Sequence, residues 1–436
     1  MCERCGAGNV PEEAGIRRTG TGTPPKPYRK AKGEVMSHYK YLIIGGGMTA
    51  DSAVQGIREL DSTGTIGLIG AEPEPPYDRP PLSKGLWKGK AIDNIWRKTE
   101  SYQVDLHLGC RAETIDMERK RVIDDNGGAH TFDKLLLATG GRPRRLSFDD
   151  GQIIYYRTVA DFRRLQGLAQ RGRRFAVIGG GFIGSEIAAA LAMNDKKVTM
   201  IFPELGIGGR LFPQELSDFL NDFYRLKGVE VLTGESIASL ERRGERTVLR
   251  TSSREIVADG VVAGIGIEPN VELAQQAGLE SENGVVVDEF LRTGNEDIHA
   301  AGDVASFYNP ALSQRLRVEH EDNANTMGRL AGRNMAGDAK PYHHLPYFYS
   351  DLFELGYEAV GRLDARLQTV ADWEEPFRKG VVYYLKHGRV RGVLLWNVWE
   401  QVDAARALIA GHQTFRPEDL MGRLPAVTQP AGAEQP

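Results

Sequence analysis

Two apolar runs organise this chain, each closed by three glycines and followed by apolar positions at helical spacing. The first is Tyr41–Ile57, YLIIGGGMTADSAVQGI: an apolar strand, Gly45-Gly46-Gly47, then a helix marked by Ala50, Val54 and Ile57. The second is FAVIGGGFIGSEIAAALA, where the strand Phe175–Ile178 meets Gly179, Gly181 and Gly184 before a helix rich in Ala and Ile. Around them the pattern predicts strands at Thr65–Gly70, Lys197–Phe202 and Val261–Gly266, and a buried strand running from Lys134 into a glycine turn before Arg142. Val104–Lys134 reads as short strands turning at Asp125-Asn126-Gly127-Gly128. Leu216–Leu226 reads as an amphipathic helix, and Asp322–Met335 as a helix with small and apolar residues on one face. Beyond Lys340 come strands at Tyr357–Arg362, Lys379–Leu385 and Arg389–Trp396, then a helix over Glu400–Ala410.

Strand, tight glycine turn and helix together suit a dinucleotide. Gly45 permits the turn, Gly47 lets backbone approach a pyrophosphate, and small Ala50 lets helix pack on strand. One such match is weak evidence. Here, though, the Thr65–Gly70 run leads to Glu72, and Lys197–Phe202 leads to Glu204, each placed to accept from a ribose hydroxyl. Two fingerprints, each with strand, helix and distal acid, predict two nucleotide sites. After Glu72, the stretch PEPPYDRPPLSKGLWKGK reads as an extended loop because its prolines forbid a helix. A plain linker is the competing reading, but two basic side chains, Arg79 and Lys84, point it toward a nucleotide's phosphates or ring, with a short helix to follow.

Composition narrows the classes. The 436 residues carry a formal net charge of −4, so no basic field recommends nucleic acid as a partner. No apolar run approaches the ~20 residues that span a bilayer. Three cysteines cannot staple a secreted fold, and a reducing, cytoplasmic compartment is expected. Cys2 and Cys5 form a C-x-x-C without a second pair to complete a metal site, so no metal is expected. Cys110 precedes a strand and reads as packed rather than reactive. Residues 1–37 read as a disordered leader, with Met36 able to serve as a start, and 416–436 as a disordered tail.

The motifs PYDRPPLSK, ATGGRPR, GGGFIGSE, GIGIEPN and AAGDVA resemble those of the two-dinucleotide flavoprotein reductases. RVEHEDNANTMGRLAGRNMAGDAKPY, SDLFELGYEAVG and KGVVYYLKHGRVRGVLLWN are most similar to the apoptosis-inducing-factor branch, next to the ferredoxin reductases. The resemblance implies an α/β fold with two Rossmann-like, three-layer domains and a C-terminal α+β domain. An FAD domain (38–155 and 281–338) would be interrupted by an NAD domain (156–280) and followed by the C-terminal domain (339–415). It implies FAD on Gly45, Gly46, Gly47, Met48 and Thr49, with Glu72 on the ribose, Arg79, Lys84 and Arg157 as loop and phosphate contacts, Ala112 at the adenine and Asp303 on the ribityl chain. NADH would lie on Gly180, Gly181, Phe182 and Ile183, with Glu204 on its ribose. Gly266, Glu319, His320, Tyr349, Glu358 and Asn397 would line the nicotinamide side.

Residue chemistry agrees with that assignment. A carboxylate at Glu204 disfavours a 2′-phosphate, so NADH is expected over NADPH, with Arg210 softening the preference. Lys84 and Glu186 form the expected catalytic pair beside flavin N5, with an interdomain salt bridge as the competing reading. The helix after His320 would turn its positive end toward the flavin. Tyr349 stands where apoptosis-inducing factors usually carry Trp, the long insertion before KGVVYYL is absent, and no cysteine follows the first glycine turn until Cys110, which excludes a disulphide reductase. The expected activity is hydride transfer from NADH to FAD, with electrons passed to an unidentified acceptor. The alternatives are the ferredoxin or rubredoxin reductase of an oxygenase system, handing electrons to a small iron–sulfur carrier, an NADH-sensing flavoprotein whose assembly changes on reduction, and a quinone reductase. A homodimer is left open.

Overall fold

A computed structural model describes residues 36–424. Its first sheet runs Val104–Leu108, Ile66–Gly70, Met36–Ile44 and Ala129–Leu137, all parallel. Ala129–Leu137 is long enough to take two partners on its other side. Its start pairs antiparallel with Arg121–Asp124, next to Ala112–Asp116, and its end pairs parallel with Ile298–Ala300. Register sets the site: Ile44 lies opposite both Ile69 and Leu137, so Gly45, Gly70 and Ala138 leave the sheet side by side. Ligands bind in α/β sheets at such carboxyl ends.

The glycines explain how the helix Met48–Arg58 meets Glu321–Met335. A Cβ on Gly328 would fall 2.4 Å from the Thr49 carbonyl oxygen, and one on Gly332 2.0 Å from that of Ala53. The two helices therefore touch backbone to backbone.

The second sheet is parallel, in the order Val229–Thr233, Lys197–Phe202, Arg174–Ile178, Gly260–Ala263 and Ile153–Tyr155. A three-stranded antiparallel sheet, Ser239–Arg250 and Glu255–Ala258, accompanies it, with helices Val159–Arg171, Phe182–Met193 and Gln214–Leu226. Gly141–Pro143 pairs antiparallel with Ile267–Pro269, so the outgoing and returning segments run as one ribbon. These crossings precede the changeovers after 155 and 280 read from the sequence, because Ile153–Tyr155 pairs with Gly260–Ala263 rather than with the first sheet.

The C-terminal sheet is antiparallel, in the order Tyr347–Leu352, Leu355–Gly361, Arg389–Trp396, Lys379–Lys386 and Gln368–Glu375, with the helix Val402–Ala410. Three further differences from the sequence reading have plain causes. The opening strand begins at Met36, whose backbone pairs with Ala129, so residues 36 and 37 belong to the first sheet. Packing continues past 415: Pro417–Leu420 forms a 3-10 turn, with Leu420 and Leu424 buried in the C-terminal core. The proline loop holds two 3-10 turns, Pro80–Leu82 and Gly85–Lys88, with two more after it at Ile92–Ile95 and Thr99–Tyr102; in the first, Pro80 and Pro81 fill first-turn positions that need no N–H. Cys2, Cys5 and Pro425–Pro436 lie outside the described residues.

Candidate functional site

The two glycine turns are built alike. Gly45 has φ +129°, and a Cβ there would sit 2.1 Å from the Ala138 carbonyl oxygen; Gly179 has φ +111°, with a Cβ 2.4 Å from that of Gly264. Only glycine fits either position. Gly47 and Gly181 differ from these, because a Cβ on either would meet nothing within 4 Å. Both are N-caps, of Met48–Arg58 and Phe182–Met193, and neither helix start receives a side-chain cap. Open space in front of uncapped N–H groups at a helix's positive end is a cradle for a pyrophosphate.

Around the first cradle the structure joins four of the sequence-selected residues. Arg79 Nη2 donates to Glu72 Oε1 at 2.5 Å, Arg79 Nη1 to the Arg157 carbonyl at 3.0 Å, and Arg157 Nη2 to Asp303 Oδ2 at 2.9 Å. Tyr77, which sequence reasoning missed, donates to Glu72 Oε2 at 2.5 Å and accepts from the Val159 N–H. Gly302, at φ +76°, packs its turn against Thr49, which sets Asp303 beside the helix start. Ala112 opens the strand after Cys110, whose N–H donates to the Gly70 carbonyl. Burial, with Asp124 beside it, pushes the Cys110 thiol up to about 12, so it is a packed group rather than a nucleophile.

At the second cradle the Gly208 N–H donates to the Gly180 carbonyl, pinning the loop after Glu204. Arg210 Nη2 reaches Glu204 Oε1 at 2.6 Å from a side chain that is 82% exposed. Ile183 follows Phe182 in the first helical turn. The Phe182 ring lies edge-on to His320 (5.8 Å) and Phe348 (5.0 Å), and His320 stacks on Phe348 at 4.3 Å. His320 caps the helix Glu321–Met335, so these rings join the starts of two helices, one serving each cradle. Ringed by protein, its imidazole is driven down to about 4 and is neutral near pH 7. That helix also carries Glu321 and Asp322 in its first turn, which offset part of the positive end expected to face the flavin.

Lys84 and Glu186 meet at 2.6 Å (Nζ to Oε1). Two serines not foreseen from sequence complete the group: Ser83 Oγ donates to Glu186 Oε2 and Ser350 Oγ to Oε1, both at 2.6 Å. Lys84 Nζ also lies 5.0 Å from the Tyr349 ring centre, and the Tyr349 hydroxyl donates to Glu321 Oε2 at 2.9 Å. Glu358 stands opposite Tyr349 across the strand pair; burial pushes its carboxyl up to about 7, and its buried Oε2 has no partner. Glu319 is paired with Arg317 at 2.6 Å, and Gly266, at φ +89°, receives the Arg144 N–H at the ribbon. Asn397 follows the strand Arg389–Trp396 of the C-terminal sheet. Its Oδ1 accepts from the Gly356 N–H and its Nδ2 donates to the Arg378 carbonyl, so the side chain is engaged within the C-terminal sheet.

Comparison with known proteins follows this geometry. Residues 39–328 match the family described as pyridine nucleotide-disulphide oxidoreductase. The chain belongs to that family. Residues 331–376 and 371–411 match the C-terminal domain described as apoptosis-inducing factor, mitochondrion-associated. Apoptosis-inducing factor 1, mitochondrial, of Dictyostelium discoideum is 36% identical, over 91% of this chain and 84% of its own length. The anthranilate 1,2-dioxygenase system ferredoxin–NAD(+) reductase component of Burkholderia cepacia is 35% identical, over 88% and 97%. A crystal structure of the covalent putidaredoxin reductase–putidaredoxin complex superposes with a TM-score of 0.82 at 29% identity, covering 88% of this chain and 96% of that one.

This member of the family is an FAD-dependent oxidoreductase that accepts hydride from NADH. The residues fit both cofactors, since each cradle presents open, uncapped backbone N–H groups and has an acid, Glu72 or Glu204, shortly after the next strand. Among the described residues the only cysteine is buried Cys110, so the disulphide in the family name has no counterpart there. No helix among them is long and apolar enough to cross a membrane.

Proposed function

We propose that this chain carries electrons from NADH through FAD to a small iron–sulfur protein, with the residues above as its cofactor sites. One observation carries the reading: the rings of Phe182, His320 and Phe348 join the helix start of the second cradle to that of the helix packed against the first. The two cradles would direct the redox ends of FAD and NADH toward that junction, where transfer by contact would need no intervening thiol. Bound FAD supplies a ring that takes two electrons as hydride and releases them singly.

The chain's own residues do the rest. Gly45–Thr49 and Gly180–Ile183 bind the pyrophosphates, Glu72 and Glu204 orient the riboses, and the Arg157–Asp303 pair holds the chain leading to the ring. Phe182 and Phe348 exclude water at the junction, and neutral His320 adds no charge there. Lys84, tethered on one side by Glu186, keeps further N–H donors for the ring edge. The carrier as acceptor is supported by two relatives whose names specify ferredoxin or putidaredoxin chemistry.

The test presents the yellow protein and NADH with a ferredoxin, a quinone, a dye or oxygen. Cytochrome c reduction that becomes fast only when ferredoxin is present supports the proposal. Equal turnover with and without ferredoxin refutes it.

A further inference from the structure

Glu186 is the most heavily shared side chain of the site. It lies in the second turn of Phe182–Met193 and is 4% exposed. Its three donors come from two distant segments: Ser83 and Lys84 from the proline loop and Ser350 from the C-terminal strand Tyr347–Leu352. Ser350 is fully buried and Ser83 nearly so. Four tyrosines surround the group, Tyr156, Tyr224, Tyr349 and Tyr357, and burial, with the Glu186 charge as a lesser cause, pushes each phenol up. None of the four donates to Glu186; Tyr156 bonds the Leu82 carbonyl, Tyr224 that of Ser185, and Tyr349 bonds Glu321.

A carboxylate held by one lysine is free to rotate about its last torsion, and a lysine side chain is itself flexible. Here each oxygen is fixed by a serine. Ser83 holds Oε2 and Ser350 holds Oε1, so the carboxylate plane is set before Lys84 binds to it. The tether then points Lys84 Nζ in one direction, above the Tyr349 ring.

We propose that Ser83 and Ser350 are positioning residues for the hydride-transfer step, acting on Lys84 through Glu186. The inference rests on the reading that Lys84 faces the flavin. It makes the C-terminal sheet, through one hydroxyl, part of the redox junction rather than a separate attachment. A group so placed affects the rate of transfer and leaves NADH binding alone, because neither serine lies in the second cradle.

The experiment is stopped-flow bleaching of the flavin by NADH, in purified holoenzyme of Ser350→Ala, Ser83→Ala, Glu186→Gln, Lys84→Met and the double variant Ser350→Ala/Glu186→Gln. Losing one charge-assisted hydrogen bond lowers the limiting rate about tenfold in each serine variant, with the NADH concentration for half-saturation changed less than about twofold. In the Glu186→Gln background, Ser350→Ala has no further effect. If Ser350→Ala fails to retain flavin, Ser83→Ala reads the same tether from the other oxygen. Wild-type rates in the serine variants overturn the proposal, as does a loss confined to half-saturation, or an undiminished effect of Ser350→Ala in the Glu186→Gln protein. If Lys84→Met alone reduces at the wild-type rate, the reading of Lys84 and the inference on it both fall. If Lys84→Met is slow and the serine variants are not, only the inference falls.

Discussion

Replacing Gly181 with alanine separates the fold of the second cradle from its use. The residue has φ −86° and ψ −165°, an extended conformation open to alanine, and the new methyl group meets no atom within 4 Å. Stability should therefore change by less than about 1 kcal/mol, with a small gain from a stiffer unfolded chain. The methyl group fills the space through which a pyrophosphate reaches the backbone. Losing one charge-assisted hydrogen bond there costs about 1.5–3 kcal/mol, or roughly ten- to a hundredfold in the half-saturating NADH concentration. Gly179→Ala is the contrasting case. Its φ of +111° and a Cβ 2.4 Å from the Gly264 oxygen combine backbone strain with overlap, for a loss of about 2–6 kcal/mol. The assay is thermal unfolding and flavin content for both variants, then NADH titration of flavin bleaching for Gly181→Ala. A Gly181→Ala protein that binds NADH as the wild type does, or a Gly179→Ala protein that melts with it, refutes the division of labour.

Two further outcomes are open to test. His299 is 2% exposed, and burial drives its imidazole down to about 4. Its contribution to stability is complete above the unfolded value near 6.5 and is lost progressively as pH falls from there to about 4, with about 2 kcal/mol gone by pH 5. Denaturant midpoints at pH 7 and 5 should diverge less in His299→Asn than in the wild type by that amount, and an equal fall in both removes the assignment. At the second ribose, Arg210→Ala should raise the preference for NADH over NADPH in kcat/KM. The rise is held to about fivefold because so exposed a pair is screened; an unchanged or falling ratio contradicts the role given to Arg210.

What the chain discloses in its sequence follows from contact range. Each glycine turn lies within about 30 residues of its own helix and its own acid, Glu72 or Glu204, so spacing reveals them. Ser83 and Ser350 meet Glu186 across 103 and 164 positions, and neither carries a local pattern. Phe348 is hidden for the same reason, as a strand phenylalanine whose ring happens to cover His320. Tyr77 lies within the PYDRPPLSK motif, but the bond that ties it to the Val159 N–H, 82 positions on, has no local sign. Asn397 was marked by its motif, while its bonds to the Gly356 N–H and the Arg378 carbonyl, 41 and 19 positions away, have no local sign.

The glycine contacts between the helices Met48–Arg58 and Glu321–Met335 bear on how the protein is made. Thr49 and Ala53 leave the ribosome early, yet the surface on which they rest arrives with Gly328 and Gly332, after the whole second sheet has been synthesised. The first nucleotide turn therefore stays half-built through most of translation, and flavin capture comes late, once the polypeptide has returned to complete it. Chains cut short before residue 321 should accordingly emerge colourless, however intact their opening motif.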